Sequence, residues 1–342
     1  MKSDIWGLVQ KSDIKSQMWS KHSVTGVRLV ALPRSQIFDL LELVYLIYIN
    51  RSRPDFFVFR YLNDYQSFTR TICRSISEIA VILFCRIIKI KIFWVCHNVD
   101  KESVSFFPKI TKLRRILLSK VSEKIFVTSE LLVKDASHIL RKKNIDNISF
   151  GLIEKNENKV SYPNNFRRFN QDADLRILIL GAPVAKSKHF DLITDLIERC
   201  RCLDISISVF IAGEFDKSER SNNLKLKYSD FPEIDLMESY VGLTKSCIKD
   251  NFNYYFRVYD DLSVPYTLYE SCSYYIPTIS LDGCFTARLI SHYGIGYVLD
   301  KDMNNVEILL DDIVPLENYD RFLKVNNWCS LSSKIKESLS DD

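Results

Sequence analysis

Glycine and proline are both scarce, at nine each in 342 residues. So few chain breakers leave little room for long low-complexity linkers. Histidine is scarcer still, at five, and no His/Cys group stands at metal-ligand spacing. No metal and no resident cofactor is therefore expected. The nine cysteines, at 73, 85, 96, 200, 202, 247, 272, 284 and 329, are odd in number and lie mostly inside apolar runs. Only Cys200 and Cys202 are close together. The pattern argues against a disulfide framework and reads as reduced thiols filling the core of a cytoplasmic protein. Long apolar runs are missing too. Residues 37–49 are about one buried helix long, and 76–95 are interrupted by Arg86, Lys89 and Lys91. Neither reaches the roughly 20 uninterrupted apolar residues of a membrane-spanning helix. The first ten residues carry too short an apolar run for a secretory leader.

What is present suits a packed chain. Hydrophobic residues make up 46% and charged residues 26%, and the length is comfortable for two domains. The net charge of +4 conceals an asymmetry. Residues 1–168 hold 29 Lys+Arg against 15 Asp+Glu, a net of +14, while 169–342 hold 18 against 28, a net of −10. A basic half suggests that it faces an anionic surface or ligand. Nucleic acid is not expected, because no basic segment interleaved with aromatics occurs.

Short β-rich runs alternate with helical patterns. In the first half the strand candidates are 5–9, 27–32, 56–61, 92–97, 124–128 and 147–151, with helical runs at 36–49, 65–88 and 108–122. Residues 157–174 are polar and read as a linker. A second series follows, with strands at 175–180, 205–213, 253–259, 278–280 and 296–299 and a helix at 189–200. Residues 214–229 read as a polar stretch, and 318–339 as helices. Strand–helix alternation with strands apolar on both sides predicts an α/β fold of two Rossmann-like domains, 1–168 and 169–317, facing across a cleft. Such folds place ligands at the carboxyl ends of their strands.

Four segments could carry chemistry there. Residues 178–188 run from an apolar strand through Gly181 to a loop with Lys186 and Lys188, then a helix. That arrangement lets backbone and positive charge approach a phosphate, although it also describes an ordinary surface turn. In 260–270, Ser263 is placed to cap a helix with Pro265 in its first turn. Glu270, two turns in, suits the hydroxyls of a ribose. In 94–102 a buried strand ends in His97 and Asn98, followed by Asp100 and Glu102. His97 could take a proton from an acceptor hydroxyl near neutral pH, or be structural. In 109–120, Ile110, Leu113, Leu117 and Val121 share one face of a basic helix, which would rest on an anionic membrane or pack on the sheet. The pair Asp172 and Asp174 imitates a metal motif but lies in the linker, where solvated polar sequence is expected.

In order and spacing, these pieces resemble the GT-B glycosyltransferases, in particular the family 4-like bacterial enzymes of surface polysaccharide synthesis. The resemblance covers about residues 90–300. It rests on 93–99, 127–130, 179–181, 210–213, 263–271, 276–279 and 294–296, each loose in itself. It implies a metal-independent hexosyltransferase acting on a nucleotide-diphosphate sugar. The donor would be held by the second domain through Gly181, Lys186, Lys188, Ser263, Tyr266, Thr267 and Glu270. The first domain would take a saccharide or lipid-linked saccharide acceptor, with Asn98 as a contact and His97, Asp100 or Glu102 as the base if configuration inverts. Residues 318–342 would cross back to the first domain. The implied setting is the cytoplasm or the inner face of the membrane, in exopolysaccharide synthesis. One departure stands out: eight positions before Glu270, where retaining members carry another glutamate, this chain has Leu262, with Asp261 beside it. Retention or inversion stays open, as do a sugar-nucleotide epimerase and a non-catalytic scaffold subunit.

Overall fold

A computed structural model describes residues 5–33, 36–102, 105–153, 169–184, 187–239, 243–259, 261–311 and 313–340. The chain divides into two compact units. The first is Met1–Gly151 with Asn326–Asp342, and the second is Leu152–Val325.

The first unit contains strands β1 (Ile5–Val9), β2 (Val27–Ala31), β3 (Phe56–Phe59), β4 (Lys91–Cys96), β5 (Lys124–Val127) and β6 (Ile145–Asn147). They form one sheet in the order β2-β1-β3-β4-β5-β6, parallel throughout. The four residues of β3, Phe-Phe-Val-Phe, are all buried, as a strand covered on both faces requires. Gly7 is needed beside it, since a Cβ there would lie 2.5 Å from the Phe56 ring. The helices are α1 (Ile14–Lys21), α2 (Asp39–Asn50), α3 (Phe68–Ile87), α4 (Pro108–Val121) and α5 (Val133–Leu140). Right-handed crossovers put α1 on one face of this sheet and α2 to α5 on the other.

The α2–α4 layer is built inside out. α2 buries Asp39, Glu42 and Leu43. α3 buries Thr71, Arg74, Ser75, Ser77 and Glu78 before its apolar Val81 and Ile82. α4 buries Thr111, Arg114, Arg115, Leu118 and Ser119. The grouping expected for 109–120 is therefore corrected: Leu113 is 67% exposed while the arginines turn inward. Buried carboxylates draw them there. Arg114 donates to Glu78 at 2.7 and 2.8 Å and to Asp64 at 2.9 Å, and Arg74 reaches Glu78 at 3.1 Å. Burying such ions is tolerable only when they are paired this closely.

The second unit contains β7 (Leu175–Leu180), β8 (Ile207–Ala212), β9 (Ile234–Met237), β10 (Tyr254–Phe256), β11 (Thr278–Leu281) and β12 (Gly296–Leu299). The order is β12-β11-β10-β7-β8-β9, again parallel. Its helices are α6 (His189–Cys202), α7 (Glu219–Ser229), α8 (Lys245–Asn251), α9 (Thr267–Tyr274), α10 (Phe285–Tyr293), α11 (Ile308–Asp311) and α12 (Leu316–Val325). Here the packing is conventional. α6 buries Phe190, Ile193, Leu196, Ile197 and Cys200 against the strands. The polar stretch 214–229 contains α7. Ser218 caps it by accepting from the Ser221 amide, and only Leu224 and Tyr228 supply an apolar contact, too few for a visible period.

The polar tail divides between the units. α12 stays with the second, where Phe322 packs on Tyr269 and Tyr293 at 5.2 and 5.0 Å. The last helix, α13 (Ser330–Ser340), belongs to the first. Ser149 holds the segment leading into it, its amide donating to Ser330 Oγ at 2.9 Å and its hydroxyl to the Asn327 carbonyl at 3.2 Å. Trp328 then packs edge-on against Trp19 of α1 at 6.2 Å.

Candidate functional site

In the second unit the strand order reverses between β7 and β10, which opens a crevice beyond their carboxyl ends. β7 ends at Gly181, whose φ is +120°. Gly213, just beyond β8, faces it so closely that a Cβ would fall 1.7 Å from the Gly181 carbonyl oxygen. Arg257 follows β10 directly and is 8% exposed. Its Nη1 donates to the Leu180 carbonyl at 2.9 Å and to His189 Nε2 at 3.0 Å, and its Nη2 donates to the Tyr259 hydroxyl. His189 opens α6 and is fully buried. Its Nδ1 lies 3.1 Å from the Val258 carbonyl, which fixes the tautomer that offers Nε2 to Arg257. Burial, then the Arg257 charge, holds the His189 pKa well below its usual value, so the ring is neutral.

Arg257 is thus a buried cation. Burial lowers its pKa, with Tyr259 and Glu270 acting in the opposite sense, yet a guanidinium stays charged at neutral pH. Among the described residues no carboxylate lies within ion-pair distance of it, and its Nε has no hydrogen-bond partner. The hydroxyls of Ser187 and Thr267 are likewise buried without partners. Orphan buried donors are uncommon in native proteins and mark places where a ligand supplies what the chain does not.

The residues anticipated here take several positions. Gly181 lies in the crevice, and Glu270 is buried in the first turn of α9, within electrostatic reach of Arg257. Lys186 lies outside the described residues. Lys188 is exposed, and its amide is bonded to the Val258 carbonyl at 3.1 Å. Ser263 is buried, but it does not cap the helix. α9 begins at Thr267, with Tyr266 before it in the helical region and no side-chain cap. Pro265 accepts through its carbonyl from the Leu268 amide, so the turn that Ser263 was expected to start forms one step later. The Tyr266 hydroxyl accepts from the Ile153 amide at 2.5 Å, its ring stacks on Tyr269 at 5.3 Å, and burial raises its pKa. Asp261, beside Leu262, is 2% exposed. Asp174 lies at the opposite, amino end of β7, where Ser206 donates to it.

The first unit has its own reversal, between β1 and β3. Arg60 follows β3 and is 1% exposed. Its Nη1 meets Asp13 Oδ1 at 2.6 Å and Ser16 Oγ, its Nε meets His97 Nε2 at 3.4 Å, and its Nη2 meets the Tyr61 hydroxyl at 3.1 Å. His97 lies between Tyr61 and Phe150, with ring centroids at 4.2 and 5.5 Å and planes within 12° and 8°. Burial, then Arg60, Lys15 and Lys11, holds its pKa well below the usual value. Asn98 is buried. Glu102 is bound to Arg115 at 2.5 Å, and Arg115 also donates to the carbonyls of Asn98 and Val99 at 3.1 and 2.6 Å. Burial raises the Glu102 pKa, against the pull of Arg115. Asp100 is exposed, 3.9 Å from Lys101. Among the described residues no group of three or more His, Cys, Asp or Glu could hold a metal ion, and no helix is long and apolar enough to cross a membrane.

Arg257, His189 and Arg60 were not singled out from the sequence. The available signal was an arginine directly after an all-apolar strand, hidden because both strands were drawn two or three residues too long.

Two six-stranded parallel sheets, each reversing beside its first strand, define a pair of Rossmann-like domains of the GT-B fold. No family model matches the sequence, and no curated protein matches it. Solved structures do match over nearly the whole chain. HepE from Anabaena, in complex with UDP-glucose, is 9% identical over 98% of this chain and 100% of that one, with a TM-score of 0.64. A glycosyltransferase from Rickettsia africae is 9% identical over 98% and 99%, with a TM-score of 0.62. A UDP-GlcNAc 2-epimerase from Methanocaldococcus jannaschii is 14% identical over 98% and 99%, with a TM-score of 0.55. At these identities the likeness establishes the fold.

Proposed function

We propose that the chain is a cytoplasmic glycosyltransferase that moves a sugar from a nucleotide-diphosphate donor to a saccharide acceptor, lipid-linked in surface polysaccharide synthesis. The observation that carries the reading is Arg257, a buried cation with an unpartnered Nε beside Gly181 and within electrostatic reach of Glu270. A diphosphate supplies the anion this site lacks. As the glycosidic bond to the donor breaks, charge grows on the leaving diphosphate, and a preformed cation with fixed N–H groups stabilises that charge. His189 acts as a positioning residue, since its neutral Nε2 holds the guanidinium in place. Glu270 is assigned to the ribose hydroxyls, and Thr267 and Lys188 to the approach of the phosphates. If configuration inverts, Asp100 is the favoured base. His97 is a weak base because its pKa is depressed, and Glu102 is occupied by Arg115.

The test is calorimetry with uridine, UDP and UDP-glucose on the wild-type chain and on Glu270→Ala, followed by a transfer assay. Donor affinity should fall in the variant by about tenfold or more, the scale of a lost charged hydrogen bond. Unchanged affinity and unchanged transfer would sink the assignment. A second reading is favoured by the epimerase match, which spans both chains almost fully. Interconversion of the nucleotide sugar without any acceptor would establish it. No nucleotide binding at all would instead favour the scaffold subunit that Leu262 brings to mind.

A further inference from the structure

The inverted layer of the first unit presents an apolar surface with no acids on it. Leu41, Tyr45 and Tyr48 of α2 and Ile76, Leu83 and Ile87 of α3 are exposed by 62, 60, 81, 61, 56 and 77%. Leu113 extends the surface onto α4. α2 packs along α3, and α3 is tied to α4 through the Glu78–Arg114 pair and the Phe68–Phe107 contact at 5.4 Å, so the exposed side chains belong to one layer of helices. An isolated exposed leucine needs no explanation, but a group of apolar side chains on one layer does.

Charge decides what covers it. Every acid on these helices, Asp39, Glu42 and Glu78, is buried. Their exposed charges are basic: Arg70 and Arg86 on α3, Lys109, Lys112 and Lys120 on α4, with Arg51 at the end of α2. A protein partner would more often meet both signs at its rim and few lysines within it. Apolar side chains among cations alone fit a surface with an apolar interior and anionic headgroups. We propose that the α2–α4 face of the first unit lies on an anionic lipid bilayer. Its tyrosines and aliphatic side chains enter the headgroup–acyl boundary, and its arginines and lysines contact lipid phosphates. The inference is independent of the donor site, and it places the membrane contact on three helices rather than on 109–120 alone.

The experiment is flotation of the full chain with vesicles of phosphatidylcholine alone and of phosphatidylcholine enriched in phosphatidylglycerol, at low and high salt. Binding should be confined to the anionic vesicles and fall by about tenfold or more at high salt. The triple variant Tyr48→Ser/Leu83→Ser/Ile87→Ser should lose about tenfold or more of that binding. It should keep its unfolding temperature, because all three side chains are exposed. Ile313→Ser, at a side chain 91% exposed in the second unit, should bind as wild type. Failure to float with anionic vesicles, or equal flotation of the triple variant, overturns the proposal. So does a wild-type dimer that the triple variant makes monomeric without vesicle binding, which would make the face an interface between copies. Retained UDP binding in the triple variant keeps this result separate from the donor assignment.

Discussion

Arg60 and Arg257 are the same device used twice. Each follows the strand across the reversal from its unit's first strand. Each is buried, touches the Nε2 of a histidine, and lies over a nearby tyrosine ring, at 4.7 and 4.1 Å. The difference is Asp13, which neutralises Arg60 at 2.6 Å, whereas among the described residues no carboxylate pairs with Arg257. A paired buried arginine is a structural tie, and the proposed function makes the unpaired one the place of an anion. On that proposal the Rossmann-like topology sets where a ligand sits, and a single carboxylate decides whether an anion is invited.

The largest effect should come from breaking the paired copy. Arg60→Met strands Asp13, whose pKa Arg60 now lowers against the effect of burial, and removes the donors that hold Ser16 and Tyr61. Stability should fall by about 3 kcal/mol, measured by urea unfolding, toward the range for a severed buried pair. Arg257→Met should leave stability without ligand within about 1 kcal/mol, because an unpaired buried charge costs free energy in the folded state. Equal losses in both variants would erase the distinction.

The unpaired copy should dominate in binding. Arg257→Met should weaken UDP by about 100-fold, or about 2.7 kcal/mol, and abolish the rise in unfolding temperature that a native-state ligand produces. Uridine binding should be little changed. If Arg60→Met weakened UDP as much as Arg257→Met, the anion site would be misplaced.

How far the sequence foretold this comparison differs between strands, helices and site. Strands 5–9, 175–180 and 296–299 match β1, β7 and β12 residue for residue, because a strand covered on both faces is a short apolar run bounded by breakers. β9 went unseen, since Ile-Asp-Leu-Met is too polar to register. The inverted helices show a deeper limit. Their apolar period is plain in the sequence, but a period has no sign, and only the buried Glu78 and Asp64 decide that Arg114 turns inward and Leu113 outward. Glu270 could be singled out as a candidate, because the family resemblance points to a glutamate at that place. Arg257 could not, because its meaning depends on the absence of a partner, which only three dimensions reveal.

The two units should also differ in pH response. In the first, Asp39 accepts from Gln10 Nε2 at 2.7 Å. Burial foremost, with Glu78 and Glu42 beside it and against the pull of Gln10 and Arg74, raises its carboxyl from 3.8 to about 8. Between those values the folded chain holds a proton that the unfolded chain has released. The stability this provides is full below pH 3.8 and is lost as pH rises through about 8. Asp39→Asn keeps an oxygen for Gln10 and carries no charge. Its advantage over wild type should be near zero at pH 4 and grow steadily as pH rises to 8. A pH-independent difference would overturn this account. In the second unit His189 works in the opposite sense. Its lowered pKa makes stability fall as pH drops below 6.5, as does that of His97 in the first unit, so acid should loosen both units and rising pH the first alone.

The smallest effect concerns a single hydroxyl. Thr267 Oγ1 is buried at the start of α9 without a partner, so removing it should cost the empty protein almost nothing. Replacing a buried polar atom by an apolar group of the same shape is close to neutral when the atom has no partner to lose. Thr267→Val preserves that shape. If the hydroxyl waits for a phosphate oxygen, the variant should keep its unfolding midpoint and bind UDP about tenfold more weakly, one hydrogen bond to a charged group at about 1.5 kcal/mol. The Arg257→Met background supplies the control. With the diphosphate no longer held there, adding Thr267→Val should cost less than it does alone, because two groups that serve one ligand are coupled and two independent groups are not. Strict additivity of the two losses would place Thr267 outside the anion site.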